Sequence, residues 1–202
     1  MSLAIPDWLS ASLAADACGG RGVMPDWIRP LGFKARVAGY VSVATVGEDD
    51  NLFVRRVAAS GPSHGPVLVI GGAALSRTAC LGGLIATALA QRGFTAVITD
   101  GLVRDVAELR EGALAVWCRG ATPRASHKDG PGSLGLPTLC AGVGVSPGDF
   151  VIADEDGVVV WPGAEVVTLL RRAQEKAARD AATAQRIAAG GLLDEAQPTQ
   201  VP

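Results

Sequence analysis

With 202 residues, the chain is long for one small domain and short for two, which points to a single domain with a large core. Hydrophobic side chains make up 49% of it, and 18 basic against 20 acidic residues leave a formal net charge of -2, too weak a field to gather phosphates or anionic lipid. That excludes nucleic acid as an expected partner. The N-terminal segment has neither the basic start nor the apolar run of a secretion signal, its first basic residue being Arg21, and no apolar stretch reaches the about 20 residues that a bilayer requires, so a cytoplasmic protein without a membrane partner is expected.

In chain order, IPDWLSASLAADAC spaces Trp8, Leu9, Leu13 and Cys18 helically after Pro6, predicting a short N-terminal helix. RVAGYVSVAT reads as a strand. Asp49, Asp50 and Asn51 then cap a helix over LFVRRVAAS. After the loop GPSHG, VLVIGG is a continuous apolar strand of the kind buried on both faces. GGLIATALAQRG is a helix closing at Gly93, TAVITD the next strand, DG its turn, VRDVAELRE a further helix and LAVWC another strand, so strand and helix alternate as in an α/β layered core. RGATPRASHKDGPGSLG, rich in Gly, Pro and Ser, reads as a mobile loop. VSPGDFVIADEDGVVVWP is a turn, a strand, a DEDG hairpin and a second strand, and a long helix follows from Gly163 with Val166, Val167, Leu170 and Ala173 in its apolar stripe.

Few side chains are available for familiar chemistries. Cys18, Cys80, Cys118 and Cys140 form no CxxC pair and read as buried reduced thiols. His64 and His127 are the only histidines and both lie in loops, which leaves little for a Ser-His-Asp or Cys-His mechanism. Asp149, Asp154 and Asp156 do not have the spacing of an EF-hand loop and are taken as turn formers.

Two helix starts hold the chemical interest. The first backbone N–H groups of the helix entered through Gly82 and Gly83 have no intrahelical acceptor and can hold a carboxylate or phosphate. Arg104 can fork two hydrogen bonds to a carboxylate or enolate oxygen, and Asp105 offers the hard oxygen that Mg²⁺ or Mn²⁺ prefers. Residue by residue, alternatives stay open: Arg104-Asp105 also suits a solvated helix start, and Gly82-Gly83 also suits close packing.

GVMPDWIRPLGFKARVAG, GGLIATALAQRGFTAVITDGLVRD and VSPGDFVIADEDGVVVWP, taken together and in this order, resemble the RraA-like family, which includes metal-dependent 4-hydroxy-4-methyl-2-oxoglutarate aldolases and is named after a regulator of RNase E. The resemblance extends to about residue 192, giving one RraA-like domain over 1–192 and a polar tail at 193–202 expected to be poorly ordered. It implies a compact β/β/α swivelling-type, phosphohistidine-domain-like α/β fold with a long C-terminal helix, assembled as a homotrimer or a dimer of trimers with sites between subunits. It also implies a divalent-metal-dependent lyase that cleaves 4-hydroxy-2-oxo acids to pyruvate through an enolate, with oxaloacetate decarboxylation as a second reaction. On that pattern Gly82, Gly83, Leu84 and Ile85 bind the pyruvyl end of a small 2-oxo acid through backbone N–H groups. Arg104 binds and polarises it, and Asp105 is the protein ligand of the Mg²⁺ or Mn²⁺ cofactor; Arg104 and Asp105 are the catalytic pair.

One position departs from the pattern. The aldolases carry an acidic residue separated from Arg-Asp by twenty residues, and here Gly83 stands there. A non-catalytic or regulatory binding protein on the same scaffold is therefore the alternative. The pattern also expects an acidic residue reaching a neighbouring site from the C-terminal helix; Glu175 and Asp180 are the candidates, a solvated helix face being their other reading.

Overall fold

The computed structural model describes residues 6–32 and 35–193, so the expected tail lies, beyond Leu193, outside the described residues. In chain order the elements are α1 (Ala11–Ala17), β1 (Arg29–Pro30), β2 (Val37–Val46), α2 (Leu52–Ser60), β3 (Val67–Gly71), β4 (Ala79–Leu81), α3 (Gly83–Gln91), β5 (Ala96–Thr99), β6 (Leu102–Val103) and α4 (Val106–Glu111). They continue with β7 (Ala115–Cys118), β8 (Gly120–Ala121), β9 (Gly132–Leu134), β10 (Thr138–Cys140), β11 (Val143–Val145), β12 (Phe150–Ala153), β13 (Val158–Trp161) and α5 (Val166–Ala188).

The main sheet runs β1-β7-β5-β3-β2-β12-β13, with β9 also paired to β2. Its centre, β7-β5-β3-β2, is parallel, and β1, β9, β12 and β13 close it antiparallel. β3 shows why its sequence is uniformly apolar. Leu68 and Ile70 face the layer formed by α2 and α3, with Val54, Val57 and Leu89, whereas Val67 and Val69 face the opposite layer with Trp117, Cys140 and Val145. A strand buried on both faces has no use for alternation. A third cluster packs α1 and the start of α5 on β12-β13 through Leu9, Ala14, Phe150, Trp161 and Leu169. The arrangement is the mixed α/β fold with a long C-terminal helix that the sequence predicts.

Three expectations change in detail. The stripe of α5 is Val166, Leu169 and Ala173 with Leu170 packed at its edge, so Val166, Leu170 and Ala173 stand where the sequence places them; Val167, 82% exposed, leaves the stripe and Leu169 takes its place. The Gly/Pro/Ser-rich segment is stitched to the body. It contains β8 and β9, bridges His127 to Asp50 and Ala125 to Ala79, and donates the Asp129 and Gly130 N–H groups to the Asp50 carboxylate. The cap of α2 is also shared unexpectedly: Asn51 stands at the N-cap without a side-chain bond, and the Leu52 N–H is held at 2.7 Å by Asp50.

Asp149, Asp154 and Asp156 do serve turns and contacts between segments: Asp149 accepts from Ser146 and Gly163, Asp154 from Ala11 and Asp156, and Asp156 from the Ser12 hydroxyl. All four cysteines are free and buried. Burial pushes the Cys80 thiol up to about 12 and raises those of Cys118 and Cys140, which suits packing and removes nucleophilic character. Among the described residues, no helix is long and apolar enough to cross a membrane.

Candidate functional site

A second, three-stranded sheet, β4-β6-β8, unites the two helix starts. β4 ends at Leu81 and turns through Gly82 into α3, and β6, parallel to it, ends at Val103 and turns through Arg104 and Asp105 into α4. The Arg104 N–H donates to the Leu81 carbonyl at 2.9 Å, so parallel pairing continues past both strands and sets the Arg-Asp pair beside the glycines.

The turn feeding β6 is anchored from below by Asp100, which is buried and accepts from the Ala73 N–H at 3.0 Å and the Ala141 N–H at 3.1 Å. Burial raises its carboxyl above the ordinary range, against those two bonds and the nearby charge of Arg119. Arg119 in turn donates to the Asp100 and Ser76 carbonyls. Sequence reading finds in Asp100-Gly101 only a turn; the buried anchor depends on contacts from Ala73 and Ala141, 27 and 41 residues away in sequence.

At the site, the Gly83 N–H donates to Asp105 Oδ2 at 3.0 Å, and Arg104 Nε lies 3.6 Å from the same oxygen. The two side chains are 41% and 39% exposed, so the ion pair itself adds little stability. Asp105 is the N-cap of α4, yet its side chain makes no bond to its own helix, and its backbone sits in the left-handed region at φ 60°. A non-glycine residue there carries a cost of order 1–3 kcal/mol, the kind of local strain that clusters at functional sites.

The four predicted cradle residues divide. Gly82 is the extended N-cap of α3, the Gly83 N–H is engaged by Asp105, and the N–H groups of Leu84 and Ile85 have no protein acceptor among the described residues. Those last two are free to receive an anion. The glycines let these side chains come close: a Cβ on Gly82 would lie 2.8 Å from Asp105 Oδ2 and 3.0 Å from Arg104 Nε, and one on Gly83 would collide with Glu108 Oε2, so a side chain at either position would push them aside. Glu108 is a neighbour that the sequence reading does not single out.

Its carboxylate rims a groove of about 160 Å³ between α3 and α4, lined also by Gly83, Thr87 and Leu109. A roomier hollow of about 360 Å³ lies elsewhere, around Arg21, Gly142 and Asp149, where the Asp149 carboxylate is already committed to turn N–H groups. Glu175 and Asp180 form i,i+4 pairs with Arg171 and Lys176, both at 2.6 Å, which matches the solvated-face reading on this chain.

Among the described residues, no three His, Cys, Asp or Glu side chains converge as a metal cage. The donor set of Asp105 with Glu108 nearby instead fits a hard divalent cation such as Mg²⁺, which typically takes one or two carboxylates and completes its shell with substrate and water oxygens.

The sequence model of the RraA-like family, described as Aldolase/RraA, matches residues 11–160. A Thermus thermophilus protein named 4-hydroxy-4-methyl-2-oxoglutarate aldolase is 40% identical over 139 residues, 69% of this chain and 84% of its own. A solved structure described as the RNA-processing inhibitor RraA, also of Thermus, superposes with a TM-score of 0.68 at 36% identity, covering 76% of this chain and 93% of that one. Streptomyces coelicolor RraAS2, described as an unusual member of the RNase ES inhibitor RraA family, has a TM-score of 0.79 at 24% identity over 88% and 93% of the two chains, a likeness of fold.

Proposed function

Because the chain belongs to the RraA-like family, we propose that the joined helix starts at Gly82–Ile85 and Arg104-Asp105 form the site of a divalent-metal-dependent lyase. The substrate is a 4-hydroxy-2-oxo acid of the 4-hydroxy-4-methyl-2-oxoglutarate type, cleaved to pyruvate and a second oxo acid. The observation that carries this reading is the convergence at Asp105 Oδ2 of the Gly83 N–H and the Arg104 guanidinium, which puts a carboxylate, a fixed cation and a helix start in one open place. The name of the 40% identical relative supports the substrate class.

The free Leu84 and Ile85 N–H groups receive the substrate's 1-carboxylate at the positive end of α3. The carbinol O–H of the substrate gives its proton to solvent at this exposed site. Arg104 stands beside the 2-oxo group, where negative charge builds as the bond to the carbinol carbon breaks and an enolate forms, which takes a proton back at C3 to leave as pyruvate. A donor placed at such an oxygen typically contributes about 10²- to 10³-fold in rate. Asp105, held by Gly83, would bind Mg²⁺ or Mn²⁺, which when bound supplies a Lewis acid for the 2-oxo acid. Oxaloacetate presents the same 2-oxo acid end and yields the same enolate on losing carbon dioxide, so its decarboxylation belongs to the same reading.

The site faces solvent on one chain, with Leu84 beside it 86% exposed and Leu75 80% exposed, which supports a second copy covering it in a homotrimer or a dimer of trimers. The test is pyruvate release from 4-hydroxy-4-methyl-2-oxoglutarate and from oxaloacetate, with and without Mg²⁺, on protein whose mass is measured by light scattering. Metal-dependent release from a trimer is expected; no turnover of either acid by trimeric protein refutes the assignment.

A second reading is a non-catalytic regulatory protein, favoured by the Thermus structure described as an RNA-processing inhibitor and by glycine at position 83. Calorimetry with Mg²⁺ and oxalate separates the two. Binding by the wild type and its loss in Asp105→Ala supports the lyase site, and equal binding by both proteins removes the metal assignment.

A further inference from the structure

We infer that Glu108 supplies the second carboxylate of this site, in the space that glycine at position 83 leaves open. The inference rests on the lyase reading and extends it to a residue of α4. A β-carbon at position 83 would collide with Glu108 Oε2 and lie 3.0 Å from Glu108 Cδ, so the Glu108 carboxylate occupies the place from which any side chain at 83 would project. Position 83 and position 108 compete for one volume, and here the longer side chain from the other helix fills it.

Local physics would use this residue differently. Asp105 and Glu108 stand at the N-cap and N3 of α4, the spacing of a capping box, in which the two side chains normally satisfy the N–H groups of their own helix. Asp105 makes no such bond and accepts instead from the Gly83 N–H of α3, and the Glu108 carboxylate, exposed to solvent, has no hydrogen-bond partner among the described residues. Both carboxylates have thus turned from α4 to the same residue of α3.

Charge says what this arrangement can accept. Arg104 contributes one positive charge against the two carboxylates, a net of one negative, which repels the dianion of a 2-oxo diacid. A divalent cation reverses the sign. Glu108 therefore sets the metal requirement and holds the cation's shell against Gly83, as a positioning residue rather than a group that touches the reacting bond.

The experiment is calorimetric titration of the full-length protein with Mn²⁺, alone and in the presence of oxalate, alongside thermal unfolding. Glu108→Gln should weaken Mn²⁺ binding by about tenfold to 100-fold, the usual effect of removing a group that supports a metal's shell, while leaving the unfolding temperature in place. Gly83→Ala should do the same without changing any charge, because its methyl displaces the flexible end of Glu108. Gly83→Asp combined with Glu108→Ala should bind Mn²⁺ to within a few-fold of wild type, returning a carboxylate to the shared volume. Wild-type affinity in Glu108→Gln overturns the inference, as does a double variant no tighter than Glu108→Ala; a carboxylate that merely complements the α3 dipole would shift unfolding and leave Mn²⁺ affinity unmoved. Asp105→Asn tests the underlying reading separately. A wild type that binds Mn²⁺ and an Asp105→Asn protein that does not uphold it, and a wild type that binds no Mn²⁺ overturns both.

Discussion

Adding a single methyl group at Gly82 separates a site glycine from a packing glycine. Its Cβ would stand 2.8 Å from Asp105 Oδ2 and 3.0 Å from both Cγ and Nε of Arg104, where ordinary contact begins at 3.4 Å. Both side chains are exposed at about the 40% level and can withdraw, so the strain relaxes through the Arg-Asp pair rather than through the core. A retreat of about half an ångström is enough to stretch the 3.0 Å bond from Gly83 out of range. With a misplacement of about 1 Å costing up to about 100-fold in rate, kcat/KM for pyruvate release should fall by about tenfold in Gly82→Ala. Stability should change by no more than about 1 kcal/mol. Alanine accepts the extended backbone of Gly82, φ -145°, and lowers the entropy of the unfolded chain, which offsets the lost hydrogen bond. For a chain of this size that is a shift in Tm of at most about 4 °C. Wild-type kcat/KM in Gly82→Ala would refute the geometry proposed for the site. A fall in Tm beyond about 10 °C would show instead that the glycine serves the fold.

Asp105→Asn should leave the fold intact, since asparagine tolerates the left-handed backbone and keeps an acceptor for Gly83, yet Mn²⁺ affinity measured by calorimetry should drop at least about tenfold. In α5, Leu169→Ala should cost about 2–5 kcal/mol in urea unfolding and Val167→Ala less than about 0.5, because the first side chain is fully buried and the second is 82% exposed; equal costs would refute the observed face of the helix. Asp50 gives the pH dependence. Burial alone would raise its carboxyl, but the N–H groups of Leu52, Gly130 and Asp129 outweigh that and hold it below its ordinary 3.8. Its contribution to stability is therefore complete above pH 3.8 and is lost as pH falls through the lower folded value. Asp50→Asn should be less stable by about 1–3 kcal/mol at pH 7 and should lose less on acidification, read from urea unfolding at each pH; parallel curves for the two proteins from pH 7 to below 3 would refute the attribution.

The helices and strands that the sequence makes legible are those whose pattern is set by burial in the finished layers. β3 reads as doubly buried because Val67, Leu68, Val69 and Ile70 serve two apolar layers at once, and α3 is framed by Gly82 and by Gly93, whose φ of 93° no other residue type adopts comfortably. β9 is illegible for the complementary reason. Three residues, Gly-Ser-Leu, carry too little periodicity to mark a strand, and only the long edge of β2 recruits them. On α5 the sequence places Val166, Leu170 and Ala173 correctly but takes Val167 for Leu169, because both fit a helical face and the choice is made by where α1 lies.

The site divides along the same line. Arg104 and Asp105 are conspicuous as adjacent charges after a strand, and the glycines as an unusual helix start, so each half is legible; that the halves meet depends on the parallel pairing of β4 with β6, two strands of three and two residues. Glu108 is harder to see because its spacing from Asp105 has a complete local explanation in the capping box. What defeats that explanation is Gly83. Without a side chain there, α3 approaches α4 closely enough for its first turn to receive both carboxylates, and the backbone of Asp105 is held at φ 60° while its side chain serves the other helix. An absent side chain has no chemistry of its own to read, so the consequence of glycine at 83 emerges only from the residue that moves into its place.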